Sequence, residues 1–136
     1  MIKISYDLPN SIDYINLRVN SGMGNKKSIE RVDIALKNSL FTIFLYDEKK
    51  LIGMGRIIGD GGISYAVTDI MVDKDYQGKG YGRLIMKEID NYFCENTDED
   101  CYIILIANLP ADKVYSKFSF EYLPDNKCGM LRKQKK

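Results

Sequence analysis

One stretch, Val67–Phe93, limits the folds open to this chain more than any other. It opens with an apolar run, Val67, Ile70, Met71 and Val72, which predicts a mostly buried strand. A short polar connection, Asp73–Tyr76, leads into Gln77-Gly78-Lys79-Gly80-Tyr81-Gly82. The residues that follow put Ile85, Ile89, Tyr92 and Phe93 on one side of a helix and Arg83, Lys87, Glu88 and Asp90 on the other. A strand that turns through glycines into a helix N-terminus gathers unpaired backbone N–H groups, with the positive end of the helix dipole behind them. Such a turn is an anion site, and a pyrophosphate is the anion that best fills a turn this wide. The alternative is a glycine-rich helix start that holds no ligand.

The glycine spacing decides which diphosphate fits. A dinucleotide fingerprint needs G-x-G-x-x-G, but after Gly78 and Gly80 the third glycine is Gly82, one residue early, and Arg83 holds the expected place. A nucleoside-triphosphate loop needs Lys-Ser or Lys-Thr after its glycines, and none follows here. The pattern that does fit is Gln77-x-x-Gly80-x-Gly82. It resembles the acetyl-CoA loop, Q/R-x-x-G-x-G/A, of the GNAT superfamily of N-acetyltransferases, in small single-domain bacterial-type members.

Composition narrows the chemistry. At 136 residues the chain is expected to form one domain over 1–136. Its 20 basic and 19 acidic residues nearly cancel, which argues against recruitment by nucleic acid or an anionic membrane. It has no apolar run of membrane-spanning length, and Met1–Ser5 does not read as a signal peptide. Cys94, Cys101 and Cys128 match no zinc spacing, so reduced thiols, a cytoplasmic location and no metal are expected. Histidine is absent, which removes Ser-His and Cys-His nucleophile systems. Any proton transfer must use carboxylates, tyrosine, lysine, cysteine or water.

In chain order, Ile2–Tyr6 reads as a strand and a helix follows, capped by Asn10 or Ser11, with Ile12, Ile15 and Val19 on its buried side. Asn20–Asn25 is a loop, and Ser28 caps a second helix with Ile29, Val32, Ala35 and Leu36 inward. Phe41–Tyr46 and Leu51–Ile58 form a hairpin, and the sheet continues as Ile63–Val72. After the central helix, Cys101–Ala107 is apolar throughout and predicts a strand buried on both faces. A short helix over Ala111–Phe118 and two closing strands, Phe120–Leu123 and Gly129–Arg132, complete the chain. This order resembles the GNAT fold over nearly the whole sequence. The resemblance implies an α+β architecture: a mixed, mostly antiparallel sheet of six to seven strands, about four flanking helices, and parallel central strands that splay apart. The acetyl-bearing arm of acetyl-CoA would lie in that gap.

Ala111-x-x-x-Tyr115-x-x-x-x-Phe120 is a second match to the family, whose tyrosine at the Tyr115 position commonly serves as general acid. A phenol of pKa about 10 stays protonated at neutral pH and can donate to a departing thiolate of pKa about 8.5. Its alternative role is to pack the helix on the sheet. The family often has glycine where this chain has Ser119, which puts a left-handed helix end on a serine at a cost of ~1 kcal/mol. Asp69 is a lone carboxylate in an apolar strand, and strict alternation would place it on one face with Val67 and Met71. By resemblance it is a candidate base. The need is real, since an alkylamine of pKa about 10.4 costs ~4.6 kcal/mol to deprotonate at pH 7. Asp69 could equally orient a loop, with water as the base.

The resemblance further implies that Ile70 and Val72 pair with the pantetheine amides and that the Met71 N–H faces the thioester carbonyl. Gly78, Lys79, Gly80, Tyr81, Gly82 and Arg83 would hold the pyrophosphate. Gln77 would fix the turn or touch a phosphate, and Asn108 would bind the pantetheine arm or simply start the turn before Pro110. Arg18 and Met23 are plausible neighbours of the acceptor, and Arg56, Asp60 and the region around Cys128-Gly129-Met130 could also face it. The expected activity is transfer of acetyl from acetyl-CoA to a primary amine, on a small molecule or a protein, in a ternary complex. The rival reading is a non-catalytic acyl-CoA-binding regulatory module, and a homodimer is expected from the resemblance alone.

Overall fold

A computed structural model describes residues 1–134. Its strands are β1 (Ile2–Ser5), β2 (Phe41–Asp47), β3 (Lys50–Gly59), β4 (Ser64–Val72) and β5 (Tyr102–Leu105). Its helices are α1 (Ser11–Ser21), α2 (Ile29–Lys37), α3 (Tyr81–Asn96) and α4 (Asp112–Tyr115), the last running on as a 3₁₀ turn, Ser116–Phe118. The strands lie in the sheet in chain order, antiparallel from β1 to β4 and parallel between β4 and β5. Local chemistry starts both N-terminal helices where the sequence predicts. The Asn10 side chain accepts from the Asp13 N–H at 2.8 Å, and the Ser28 hydroxyl accepts from the Arg31 N–H at 3.2 Å.

Two apolar layers sandwich the sheet. Ile85, Met86, Ile89 and Phe93 of α3 bury one face against Ile43, Leu45, Ile57 and Val67. Tyr14 and Leu17 of α1, with Val32 and Leu36 of α2, bury the other against Phe44, Met54 and Met71. The α3 layer is close-packed over Gly55. A Cβ there would lie 2.6 Å from Ile85 Cγ2, 2.8 Å from Ile70 Cδ1 and 2.9 Å from Ile89 Cδ1. Glycine at this position therefore lets α3 approach the sheet and fixes the point from which the glycine turn is launched.

Several expectations need correction. Among the described residues the sheet has five strands rather than six or seven, because Phe120–Leu123 and Gly129–Arg132 are irregular. Residues 121–134 are all exposed, and Pro124-Asp125-Asn126 interrupts them. Without a buried face, no hydrophobic term offsets an ordering cost of about 1–2 kcal/mol per residue. The strand within Cys101–Ala107 shrinks to four residues and is not covered on both faces. Ile103 and Leu105 pack toward the α3 core while Tyr102, Ile104 and Ile106 are exposed, as befits an edge strand. In α1 the buried residues are Ser11, Tyr14 and Leu17, and Ile12 and Val19 are exposed. Ser11 donates to the exposed Asp33 of α2 and Tyr14 to the buried Asp69, and these bonds turn the helix away from the phase its aliphatic residues suggest. The helix around Tyr115 ends on Ser119 in the left-handed region at φ 71°, so the serine takes the conformation that a glycine would suit.

Gly55→Ala should destabilise the fold by about 1–3 kcal/mol, the usual cost of overpacking a filled core. Urea unfolding followed by circular dichroism measures it, and an unchanged midpoint would show slack under α3.

Candidate functional site

The site grows from an irregularity in β4. Arg56 pairs with Thr68 and Met54 with Met71, so two residues of β4, Asp69 and Ile70, stand opposite the single Gly55. Asp69 takes φ 56° to make this bulge. The extra residue breaks strict alternation. Val67 stays on the α3 face, while Asp69 and Met71 turn to the α1/α2 face and Ile70 returns to the α3 side. The expected common face for Val67, Asp69 and Met71 is thus corrected by one bulged residue.

Three donors hold the Asp69 carboxylate. The Tyr14 hydroxyl donates to Oδ2 at 2.6 Å, Arg56 Nε donates to Oδ2 at 2.7 Å, and Arg18 Nη1 donates to Oδ1 at 3.0 Å. The Asp69 side chain is 7 % exposed and those of Arg18 and Arg56 are 15 % and 13 %. Burial alone would push the carboxyl up. The hydrogen bonds from Tyr14 and Arg56 and the charges of Arg56 and Arg18 outweigh it and hold the group below its ordinary range. Tyr14, buried and facing that carboxylate, is pushed up to about 12. Asp69 is therefore an anion at neutral pH held by three donors with its proton affinity lowered, which is poor equipment for taking a proton from an ammonium.

Next to the bulge, β4 and β5 part. Their pairing runs from Ser64 opposite Tyr102 to Val67 opposite Leu105, and β4 then continues five residues to Val72 without that neighbour. A cavity of about 240 Å³ lies in the gap, lined by Thr68, Asp69, Ile70, Met23, Asn108 and Tyr115 among others. Tyr115 reaches it from α4, and burial pushes its phenol above the ordinary value. The Asn108 side chain donates to Met23 Sδ at 3.6 Å, and its carbonyl accepts from the Ala111 N–H at 2.8 Å, so it borders the cleft and also starts the turn.

Beyond β4 the chain is tethered before it turns. Asp73 is buried, receives the Asp75 N–H at 2.9 Å and pairs with Lys50 at 3.5 Å. The Gln77 amide donates to the Val72 carbonyl at 2.8 Å and the Ser21 carbonyl at 3.4 Å, so this side chain fixes the turn. Gly78 and Gly80 take φ 78° and 90°, and α3 begins at Tyr81 with no side-chain cap. A Cβ at Gly78, Gly80 or Gly82 would meet nothing of this chain within 4 Å. Gly82 has no positive φ and no protein atom within 4 Å of where its Cβ would stand, so the helix start is uncrowded there. The bare N–H groups and open floor fit a diphosphate. Lys79 Nζ stands 5.5 Å from the Tyr76 ring centre, and Lys79 and Arg83 are exposed at the rim.

Tyr115, Asn108, Asp69 and Ile70 are thus brought to one cleft, with Met71 and Val72 continuing β4 toward the glycine turn. Sequence reasoning missed Tyr14. The available signal was its spacing of four from Arg18, which puts both on one helix face, together with two isolated polar residues in apolar strands, Arg56 and Asp69.

The comparisons agree with this geometry. Residues 21–129 match the family model described as an acetyltransferase (GNAT) domain. An uncharacterised N-acetyltransferase of Pyropia yezoensis is 31% identical over 110 residues, covering 78% of this chain. The chain spans 62% of the length of that relative. Among solved structures, a protein of unknown function from meticillin-resistant Staphylococcus aureus, described as "Probable Acetyltransferase", is 46% identical. It superposes with TM-score 0.92 over 98% of this chain and 100% of its own. A GNAT family acetyltransferase from Streptococcus pneumoniae is 27% identical with TM-score 0.79, each chain fully covered.

Asp69→Asn should cost about 3 kcal/mol at neutral pH, because it leaves two nearly buried arginines without their counter-ion. The folded-state pKa of Asp69 lies below its unfolded value, so the carboxylate's contribution is complete above about pH 4 and is lost as pH falls through the folded pKa. The gap between native protein and variant should therefore narrow on acidification, as read by denaturant unfolding at a series of pH values. A gap that stays constant across the acid range contradicts the ion-pair account.

Proposed function

Because the chain belongs to the GNAT acetyltransferase family, we propose that it moves an acetyl group from acetyl-CoA directly to a primary amine, both substrates being bound together. The observation that carries this reading is spatial. A capless helix start with a glycine floor, an unpartnered length of β4 and a cleft bordered by a high-pKa tyrosine follow one another along a single strand. Acetyl-CoA supplies the activated acyl group. The turn at Gly78–Arg83 would receive its diphosphate on backbone N–H groups, and Gln77 would hold that turn in shape. The unpaired edge formed by Ile70 and Val72 would accept the pantetheine amides as a strand neighbour. Asn108 would steady the same arm from the β5 side.

In the transfer, the amine nitrogen forms a bond to the acyl carbon and the carbon–sulfur bond breaks. The Met71 N–H would stabilise charge on the acyl oxygen. Tyr115 would donate its proton to the departing thiolate, and its raised pKa keeps that proton in place at neutral pH. Water connected to solvent would take the amine's proton. Asp69 is assigned a positioning role: its charge is spent on Arg18 and Arg56, and its left-handed backbone makes the bulge that sets which way the rest of β4 faces along the cleft. One domain over 1–136 would suffice for these parts. The three unpaired cysteines suit a reducing compartment such as the cytoplasm.

Two variants separate function from folding. Tyr115→Phe should slow thiol release from acetyl-CoA by about 10- to 100-fold while cofactor affinity stays within about twofold. Unchanged turnover would remove the acid role. Gly82→Leu has room in the free protein and a better helix former, so its stability should hold while acetyl-CoA affinity falls at least about tenfold. Thiol detection with an amine panel and calorimetry with acetyl-CoA provide the readouts. Binding without thiol release from any amine would favour the non-catalytic module.

A further inference from the structure

A second cavity, about 470 Å³, opens between α1, α2 and the β3–β4 pair. It shares Thr68 and Asp69 with the cleft, so the two cavities flank the same bulge. Four cations line it, Arg18, Lys27, Arg31 and Arg56, against the single carboxylate of Asp69. The formal balance is 4 − 1, or +3, in a chain whose total is only +1. Asp69 is already shared between two arginines and Tyr14, so it offers nothing further to neutralise Lys27 or Arg31. Neither of these has a carboxylate partner among the described residues.

The donor geometry is equally unspent. Arg18 uses Nη1 and Arg56 uses Nε and Nη1, and the Nη2 groups of both have no acceptor among the described residues. Arg18 Nε is buried without a partner. Arg18 and Arg56 are mostly buried at the back of this wall, and Lys27 and Arg31 are exposed at its mouth. Like charges gathered there repel one another, and an incoming anion relieves that repulsion while filling planar donor forks suited to carboxylate or phosphate. None of the lining residues belongs to the glycine turn, so a coenzyme diphosphate held there leaves this charge unanswered. The cavity volume is in the range of small-molecule sites.

Resting on the transferase reading above, we propose that this cavity selects the acceptor: a small primary amine that also carries a carboxylate or phosphate. Its acid group sits among Lys27, Arg31 and the free Nη2 groups, and its nitrogen crosses the Thr68–Asp69 bulge to the thioester. The surplus cations hold the anionic end on their side of the opening and repel the ammonium toward the cleft, so a zwitterion enters in one orientation.

The test pairs amines that carry an acid group with partners whose far end is neutral: β-alanine with β-alaninamide, 4-aminobutanoate with 4-aminobutanamide, and 2-aminoethyl phosphate with ethanolamine. Each is titrated calorimetrically into the native protein in the presence of coenzyme A and assayed for thiol release from acetyl-CoA. At least one acidic member should bind about tenfold or more tightly than its neutral partner, with the same preference in kcat/KM carried mainly by KM. The carboxylate and phosphate arms distinguish which anion the wall prefers. In the double variant Lys27→Gln/Arg31→Gln the acidic-to-neutral ratio should fall toward one. A native protein that binds neutral partners as well as acidic ones overturns the proposal, as does a preference that survives the double variant. Failure to bind acetyl-CoA at all is a separate result, and it removes the transferase reading itself.

Discussion

A buried carboxylate caught between two arginines and a tyrosine holds the working parts of this molecule together. Asp69 joins α1 through Tyr14 and Arg18, and joins β3 through Arg56, from a backbone conformation that a non-glycine residue rarely adopts. Three charge-assisted hydrogen bonds offset the cost of that conformation and of burying the charge. Without them, β4 would have no reason to admit an extra residue opposite Gly55. The bulge in turn rotates the rest of β4, sending Met71 into the α1/α2 core and Ile70 under α3. The parting of β4 from β5 begins two residues earlier, after Val67.

The same network divides electrostatic labour. It leaves a cationic wall on one side of the bulge and a tyrosine-bordered cleft on the other, while the glycine turn at the end of β4 is furnished only with backbone donors. Backbone N–H groups and a helix dipole grip phosphate without long side chains to order. Arginines are better suited to choosing among acceptors, because their planar donors discriminate by shape as well as charge. Asp69, which by residue type alone invites a reading as base, is more useful to this arrangement as a fixed anion that never titrates near neutrality.

Much of this was legible from residues alone wherever function depends on local backbone. Gln77-Gly78-x-Gly80-x-Gly82 places glycines at two positive φ angles, Gly78 and Gly80, and at an uncrowded helix start, Gly82. Asn10 and Ser28 cap their helices, Ser119 ends a helix left-handed, and the parallel β4–β5 pair follows from the strand–helix–strand order. Where the reading failed, a distant partner decided the outcome. Ile12 and Val19 look like the inner face of α1 until Asp69 and Asp33 claim Tyr14 and Ser11. Phe120–Leu123 and Gly129–Arg132 look like strands, yet only Phe120 packs against the core and residues 121–134 are all exposed.

The amino-acid order by itself determined the strand–turn–helix unit, the family, and the presence of a tyrosine two elements away, because turn glycines, caps and periodicity act over a few residues. Only the tertiary structure decided which way β4 faces, what Asp69 does and where the surplus positive charge collects. Those outcomes depend on side chains from residues 14, 18, 56 and 69 meeting across the sheet, and a carboxylate's proton affinity is set by the charges brought beside it.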